Sequence, residues 1–244
     1  MGIVKYNNIS TTDLGLIVQA IPDYDFSEKD ITFEHIRGRN GDLIINDSSF
    51  KNITRTYYLA KVFRRGERFV ASSNAIVDWL HSANNYARLE DSYEPEYYRL
   101  AIFKDQGSMR NYYDEATTFE VNFECKPQKW LKVGDEPIAI DSTAKELNNP
   151  TNYDSLPIIE FDVTPNDHVL LHIGNQTVEL LPTGNSDHII IDCENMECYS
   201  STNNYNKYLK LNADEFPTLV KRSTTFVSIQ NGSNATIKPR WWTL

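Results

Sequence analysis

The segment Ile31-Thr32-Phe33-Glu34-His35-Ile36 alternates apolar and polar side chains, and Leu43-Ile44-Ile45 resumes the apolar run after Asn40-Gly41-Asp42. Alternation with a period of two is the pattern of a half-buried strand. Asn-Gly supplies the positive φ values of a tight reversal, so residues 31–45 predict a β-hairpin with its tip at Asn40-Gly41. A chain that commits to a hairpin this early commits to antiparallel sheet. The composition agrees: aromatic residues make up 12% of the chain, with 14 tyrosines, and such residues suit a pleated surface better than a helix.

The same reading extends along the chain. Leu14-Gly15-Leu16-Ile17-Val18 is a short apolar stretch before Pro22, Asn46-Asp47-Ser48-Ser49 predicts a second turn, and Ile53–Val62 reads as a long strand ending at Arg64-Arg65-Gly66. One helix is expected next. Ser72 or Ser73 can cap it, Ile76, Trp79 and Leu80 share one face, and Asn84-Asn85 end it. Tyr97–Phe103 and Thr117–Phe123 look like further strands. Four prolines, Pro127, Pro137, Pro150 and Pro157, then mark a change of character where a domain junction belongs. Beyond it, short strand candidates follow at regular spacing: Ile158–Val163, Val169–Ile173, Thr177–Leu181, His188–Asp192, Glu197–Ser200, Thr225–Ile229 and Ala235–Lys238. That spacing predicts a β-sandwich. A length of 244 residues suits about two domains. The expectation is a mainly β protein: residues 1–132 form a β-rich domain with one α-helix and a long hairpin, and residues 133–244 form the sandwich.

Charge and hydropathy remove several function classes. A net charge of −10 argues against nucleic-acid recognition, which runs on clustered Lys and Arg. No apolar run approaches the roughly 20 residues of a membrane span, and Met1-Gly2-Ile3-Val4-Lys5-Tyr6 lacks the apolar core of a signal peptide. Three cysteines, an odd and sparse set, suggest free thiols made in a reducing cytoplasm.

No catalytic or cofactor motif stands out. There is no Gly-x-Gly-x-x-Gly, phosphate loop, Gly-x-Ser-x-Gly elbow or His-Glu-x-x-His. His168 and His172 have a helical metal-binding spacing but flank a strand pattern; four strand residues span about 13 Å, too far for one ion, so they read as ordinary strand histidines. Cys193 and Cys198, with His188 upstream, lack a fourth zinc ligand, and Cys125 has no evident base beside it. Glu90, Asp91, Glu94, Glu96, Asp114, Glu115 and Asp162 read as solvated faces and turn caps rather than as a glycosidase pair. Arg240-Trp241-Trp242 offers paired aromatics for a partner or a sugar. Adjacent strand residues face opposite ways, so one indole is expected in the core and the other at least partly exposed, and core packing or docking against the neighbouring domain is the leading reading.

Certain segments, taken in order, resemble one family. They are Gly38-Arg39-Asn40-Gly41-Asp42-Leu43, Asp78-Trp79-Leu80, Asp91-Ser92-Tyr93-Glu94-Pro95, Tyr97-Tyr98-Arg99 and Phe123-Glu124-Cys125-Lys126-Pro127. This set resembles the N-terminal belt domain of siphophage distal tail proteins. Leu156-Pro157-Ile158-Ile159, Ile189-Ile190-Ile191-Asp192-Cys193, Phe216-Pro217-Thr218-Leu219 and Ile237-Lys238-Pro239-Arg240-Trp241-Trp242 are similar to that family's galectin-like β-sandwich. The resemblance implies a non-enzymatic virion component without cofactor or metal, made in the host bacterial cytoplasm. It implies a homo-hexameric ring at the tail tip, joining the tail tube protein to the tail-associated protein and the receptor-binding baseplate proteins. DNA would pass through the channel without sequence-specific recognition. On this reading Arg37, Arg39, Asn40, Gly41 and Asp42 lie at a subunit boundary, and Trp241 and Trp242 are an exposed aromatic contact. A sugar-binding galectin uses His-x-Asn-x-Arg, which His172-Ile173-Gly174-Asn175-Gln176 does not match. A carbohydrate-binding module that helps the virion adhere to the cell wall is the alternative.

Overall fold

The computed structural model describes residues 2–244, and at Asp47 the backbone alone. The chain divides into two compact units, one comprising the chain to Lys129 with Leu244, the other Trp130–Thr243.

The first unit contains β1 (Val4–Tyr6), β2 (Ile9–Ser10), β3 (Ile17–Val18), β4 (Lys29–Glu34), β5 (Leu43–Phe50), β6 (Ile53–Val62), helix α1 (Phe69–Leu80), β7 (Ala87–Asp91), β8 (Tyr97–Phe103), β9 (Arg110–Tyr112) and β10 (Ala116–Leu131), the last running on into the second unit. Its main sheet has the order β2-β1-β7-β8-β10-β6-β3, with β9 also on β10. The sheet curls far enough for Gly2 to bridge Val18 beside β3. β6 and β10 form the longest ladder, from Ile53↔Cys125 to Val62↔Ala116, and they alternate buried and open residues as the sequence pattern requires. Inside the curl, Tyr6, Tyr57, Trp79 and Phe123 meet edge to face or tilted, with Tyr6 and Phe123 centroids 4.7 Å apart. Such aromatic geometry adds to the gain from removing apolar area from water.

Helix α1 lays Ile76, Trp79 and Leu80 on this core, the face expected, and the Trp79 indole donates to the Tyr6 carbonyl at 3.2 Å. Its ends differ from expectation. It starts at Phe69 after Arg68, with no side-chain cap, so Ser72 and Ser73 lie inside it, and it stops at Leu80 before Asn84-Asn85. The exposed residues of its first turn carry no periodic signal that would have located the start.

The second unit contains β11 (Ile138–Ala139), β12 (Lys145–Asn148), β13 (Ile158–Val163), β14 (Val169–Ile173), β15 (Gln176–Leu180), β16 (Asp187–Asp192), β17 (Glu197–Tyr199), β18 (Leu209–Leu211), β19 (Thr224–Gln230), β20 (Ser233–Lys238) and β21 (Trp242–Thr243). Two five-stranded antiparallel sheets, β11-β20-β13-β16-β17 and β12-β19-β14-β15-β18, make the expected sandwich. Their inward residues include Ile159, Phe161, Leu171, Ile173, Leu180, Ile189, Ile191, Val227, Ile229 and Ile237, each 2% exposed or less. This core is mainly aliphatic. It holds the sandwich together by burial, at about 1.5–3 kcal/mol per large side chain.

Candidate assembly interface

β4 and β5 pair only with each other, from Lys29↔Phe50 to Glu34↔Leu43, and form a separate two-stranded sheet. The hairpin was expected, but its end is not a two-residue turn. Residues 35–42 form an eight-residue loop in which Gly38 and Gly41 take positive φ, near +80°, and Asn40 does not. The His35 ring lies 3.1 Å from Asp42, and the Arg39 N–H donates to the Ile36 carbonyl. Arg37, Arg39, Asn40, Gly41 and Asp42 are all exposed at this tip.

The turn expected at Asn46-Asp47-Ser48-Ser49 is absent, since these residues lie within β5. Asn46 accepts the Ser48 N–H at 2.8 Å and Ser48 has φ +60°, which kinks the strand at a register shift without reversing it. The turn chemistry was legible, but its outcome was a bulge.

The hairpin exposes large apolar side chains among its polar ones. Phe33 and Ile44 sit opposite each other, 59% and 58% exposed, and Ile36, Leu43 and Ile45 are exposed nearby. Just before β4, residues 19–28 form a strap on which Ile21 and Phe26 are 76% and 82% exposed. Among the described residues, fifteen of the nineteen exposed large hydrophobic side chains belong to the first unit and four, Val133, Met196, Val220 and Phe226, to the second. Of these, Phe33 and Ile44 are direct cross-strand neighbours on the ribbon.

Beneath the strap lies a cluster of buried charges that sequence reasoning missed. Arg55 on β6, Arg99 on β8 and Lys129 on β10 are all buried. Glu94, in the β7–β8 turn, lies 2.5 Å from the Lys129 ammonium, 3.2 Å from Arg99 and 3.7 Å from Arg55. Asp91 lies 3.4 Å from Arg55 and accepts the Tyr57 hydroxyl at 2.7 Å. Its other oxygen accepts the Tyr93 and Glu94 N–H groups, both at 2.9 Å. The Asp91 carboxylate is therefore a turn cap, as expected, but neither it nor Glu94 belongs to a solvated face. Burial alone would raise the Glu94 carboxyl; the Lys129 hydrogen bond and the charges of Arg99, Lys129 and Arg55 outweigh it and hold the group below its usual range. Burial likewise opposes the charge of Lys129, and its bonds to Glu94 and Tyr24 more than restore it. Each ion therefore lies beside at least one opposite charge.

The other chemical candidates are separated from one another. His168 pairs with Glu179 at 2.5 Å and His172 with Thr177 at 3.2 Å, at different levels of β14 and β15. His188 faces Asp162 at 2.6 Å, and Asn234 also donates to that carboxylate. Cys125, Cys193 and Cys198 are free and buried, and burial pushes each thiol up to about 12, so they are protonated near neutral pH. Among the described residues, no three His, Cys, Asp or Glu side chains are grouped to hold a metal, and no helix is long and apolar enough to cross a membrane. A groove of about 730 Å³ runs between residues 12–17 and the start of α1, but Lys61 in its wall already donates to the Leu14 carbonyl at 2.8 Å.

The core position expected for one of Trp241 and Trp242 is not found, while the partial exposure expected of the other is. Both are half-buried. Arg240 takes φ +54° just before them and β21 begins only at Trp242, so strand alternation does not relate the two rings. Trp242 stacks on Tyr153 with centroids 4.3 Å apart and donates to the Asp154 carbonyl at 3.0 Å. The Trp241 carbonyl accepts the Leu131 N–H at 2.8 Å. These contacts fasten the C-terminal segment within the second unit.

No family model and no curated protein matches the sequence. Solved structures do match. A chain of the phage P2 baseplate in its activated conformation with Ca aligns at a TM-score of 0.59 and 10% identity, and one from the form with Sr at 0.58 and 10%, each over 97% of both chains. The crystal structure of the SPP1 Dit (gp 19.1) protein, described as a paradigm of the hub adsorption apparatus in phages infecting Gram-positive bacteria, aligns at 0.72 and 13% identity. Through both units, over 97% of its length and 97% of that protein's, this chain has the fold of the phage Dit hub protein.

Proposed function

We propose that this chain is a distal tail protein, a structural hub at the tip of a siphophage tail, and is not an enzyme. The observation that carries the reading is the full-length correspondence of both units, in the same order, with the Dit hub fold. It is supported by the concentration of exposed apolar side chains on the first unit and by buried catalytic candidates that have no reactive setting. Residues 1–132 act as the belt domain and residues 133–244 as a galectin-like sandwich.

Six copies form a ring through the first unit. The β4–β5 hairpin, with Phe33 and Ile44 on its ribbon and Arg37, Arg39, Asn40, Gly41 and Asp42 at its tip, lies at the boundary between neighbours. An isolated two-stranded ribbon is marginal in water, and a neighbouring copy supplies the missing cover. The ring joins the tail tube protein to the tail-associated and receptor-binding baseplate proteins, and DNA passes through its centre. Each chain contributes a net −10, and acidic residues along such a channel repel passing DNA rather than trap it. The virion tail is the place of action, after synthesis in the host cytoplasm.

Native mass of the purified protein, with negative-stain imaging, tests the reading. It predicts a species of six chains with an open centre. Chains that stay monomeric even with the tail tube protein present contradict it.

A further inference from the structure

Residues 19–50 leave the main sheet of the first unit between β3 and β6 as one excursion, strap then hairpin. Its start is held to β6, where the Gln19 N–H donates to the Tyr58 carbonyl at 2.9 Å, and the hairpin is tied at its base. The Lys51 N–H donates to the Glu28 carbonyl at 2.9 Å, and the Lys51 ammonium lies 3.3 Å from the Glu28 carboxylate. The β4–β5 ladder is internal to the excursion, so the hairpin is a closed unit joined to the rest of the chain through the strap and Lys51.

The strap is gripped by two buried cations. Arg55 donates to the Asp23 carbonyl and its guanidinium lies 3.6 Å from Asp25. Lys129 donates to the Tyr24 hydroxyl at 3.0 Å, with the ammonium 4.8 Å from the Tyr24 ring. The two sides of this grip differ. On the sheet side, Arg55 keeps Asp91 and Glu94, and Lys129 keeps Glu94, whether or not the strap is present. On the strap side, Tyr24 is 65% exposed and the Asp25 side chain 33% exposed, so both already meet water. A buried charge stranded without a partner is the usual penalty for opening such a site. Here opening leaves each cation beside a carboxylate, with Arg55, Arg99 and Lys129 sharing Asp91 and Glu94.

We propose that Arg55 and Lys129 form a releasable latch that sets the position of residues 19–50 as a single arm, and that the arm can swing free while the sheet beneath stays intact. The latch goes beyond the assembly reading because it operates within one chain. In a ring it would govern where each copy presents its hairpin.

Spin labels at Asn40→Cys on the hairpin tip and Asp78→Cys on α1, both exposed sites, carried by chains diluted in excess unlabelled protein so that distances within one chain are read, report the arm's position by pulsed electron resonance, and the three native thiols are buried. The experiment compares the labelled chain with two latch variants, Tyr24→Ala with Asp25→Ala, and Arg55→Met with Asp91→Asn. The second pair removes one cation and one anion together. Expected are a narrow distance distribution in the parent and one at least twofold broader in either variant, with the near-ultraviolet spectrum of the core aromatics retained. A parent distribution that is already broad overturns the proposal, and so does parent width in both variants. Broadening accompanied by loss of the core spectrum in both variants overturns it as well, because the cluster would then hold the fold and not the arm.

Discussion

The two units solve the same problem, burying a β-rich chain, in opposite ways. The sandwich of the second unit puts Ile, Val, Leu and Phe inside and leaves few large apolar side chains exposed. The first unit keeps three cations under its surface and turns Ile21, Phe26, Phe33 and Ile44 toward water. Apolar transfer drives folding, so a unit that spends it inside is complete as a single chain. On the proposed function, the exposed apolar side chains of the first unit are where a partner would sit.

That contrast can be broken where the effect is largest. Glu94→Ala leaves Lys129 and Arg99 buried with their shared carboxylate gone. The expected cost is about 3–5 kcal/mol, seen in calorimetry as a lowered transition of the first unit with that of the second unchanged. Equal loss in both would show that the units are not independent.

The same carboxylate gives a pH test. The folded state holds Glu94 below its usual range, so its contribution is fully present above the ordinary carboxylate value. It is lost as the pH falls through the lower, folded value. The first unit should therefore weaken on acidification through that window, and Glu94→Gln should flatten the dependence.

A smaller effect belongs to the second unit. A Cβ at Gly134 would sit 2.7 Å from the Trp241 backbone nitrogen, and backbone cannot move aside as a side chain can. Gly134→Ala should cost about 1–3 kcal/mol, confined to the second transition. A change in the first transition instead would misplace the Trp241 segment.

The smallest effect on the monomer is the most telling for assembly. Phe33→Ser with Ile44→Ser alters only exposed positions and should shift chain stability by no more than about 0.5 kcal/mol. Its native mass should nevertheless fall to that of one chain. Arg37→Ala, Arg39→Ala and Asp42→Ala together should likewise impair assembly while the monomer stays folded.

What the sequence disclosed follows the physics of each element. Ile53–Val62, Tyr97–Phe103, Ile158–Val163 and Val169–Ile173 were legible to the residue, because runs rich in apolar, aromatic and β-branched residues bounded by turn residues define a strand. Ile138–Ala139 and Leu209–Leu211 are too short to show a period. β10 extends past the expected Phe123 and through Pro127, which lies beyond the last rung with β6 at Cys125, where that ladder needs no donor. The charge cluster was illegible because Asp25, Arg55, Asp91, Glu94, Arg99 and Lys129 come from distant segments, and each alone looks like a surface residue. Arg99 within a strand of otherwise apolar and aromatic neighbours was the one available hint.

The central claim is that the first unit carries an unfinished surface which identical copies complete. The mass of the native protein, measured alone and with the Phe33→Ser and Ile44→Ser substitutions, tests it most directly. The account predicts six times the 28.1 kDa chain mass for the parent and a single chain for the variant. A variant that assembles as the parent does would contradict it.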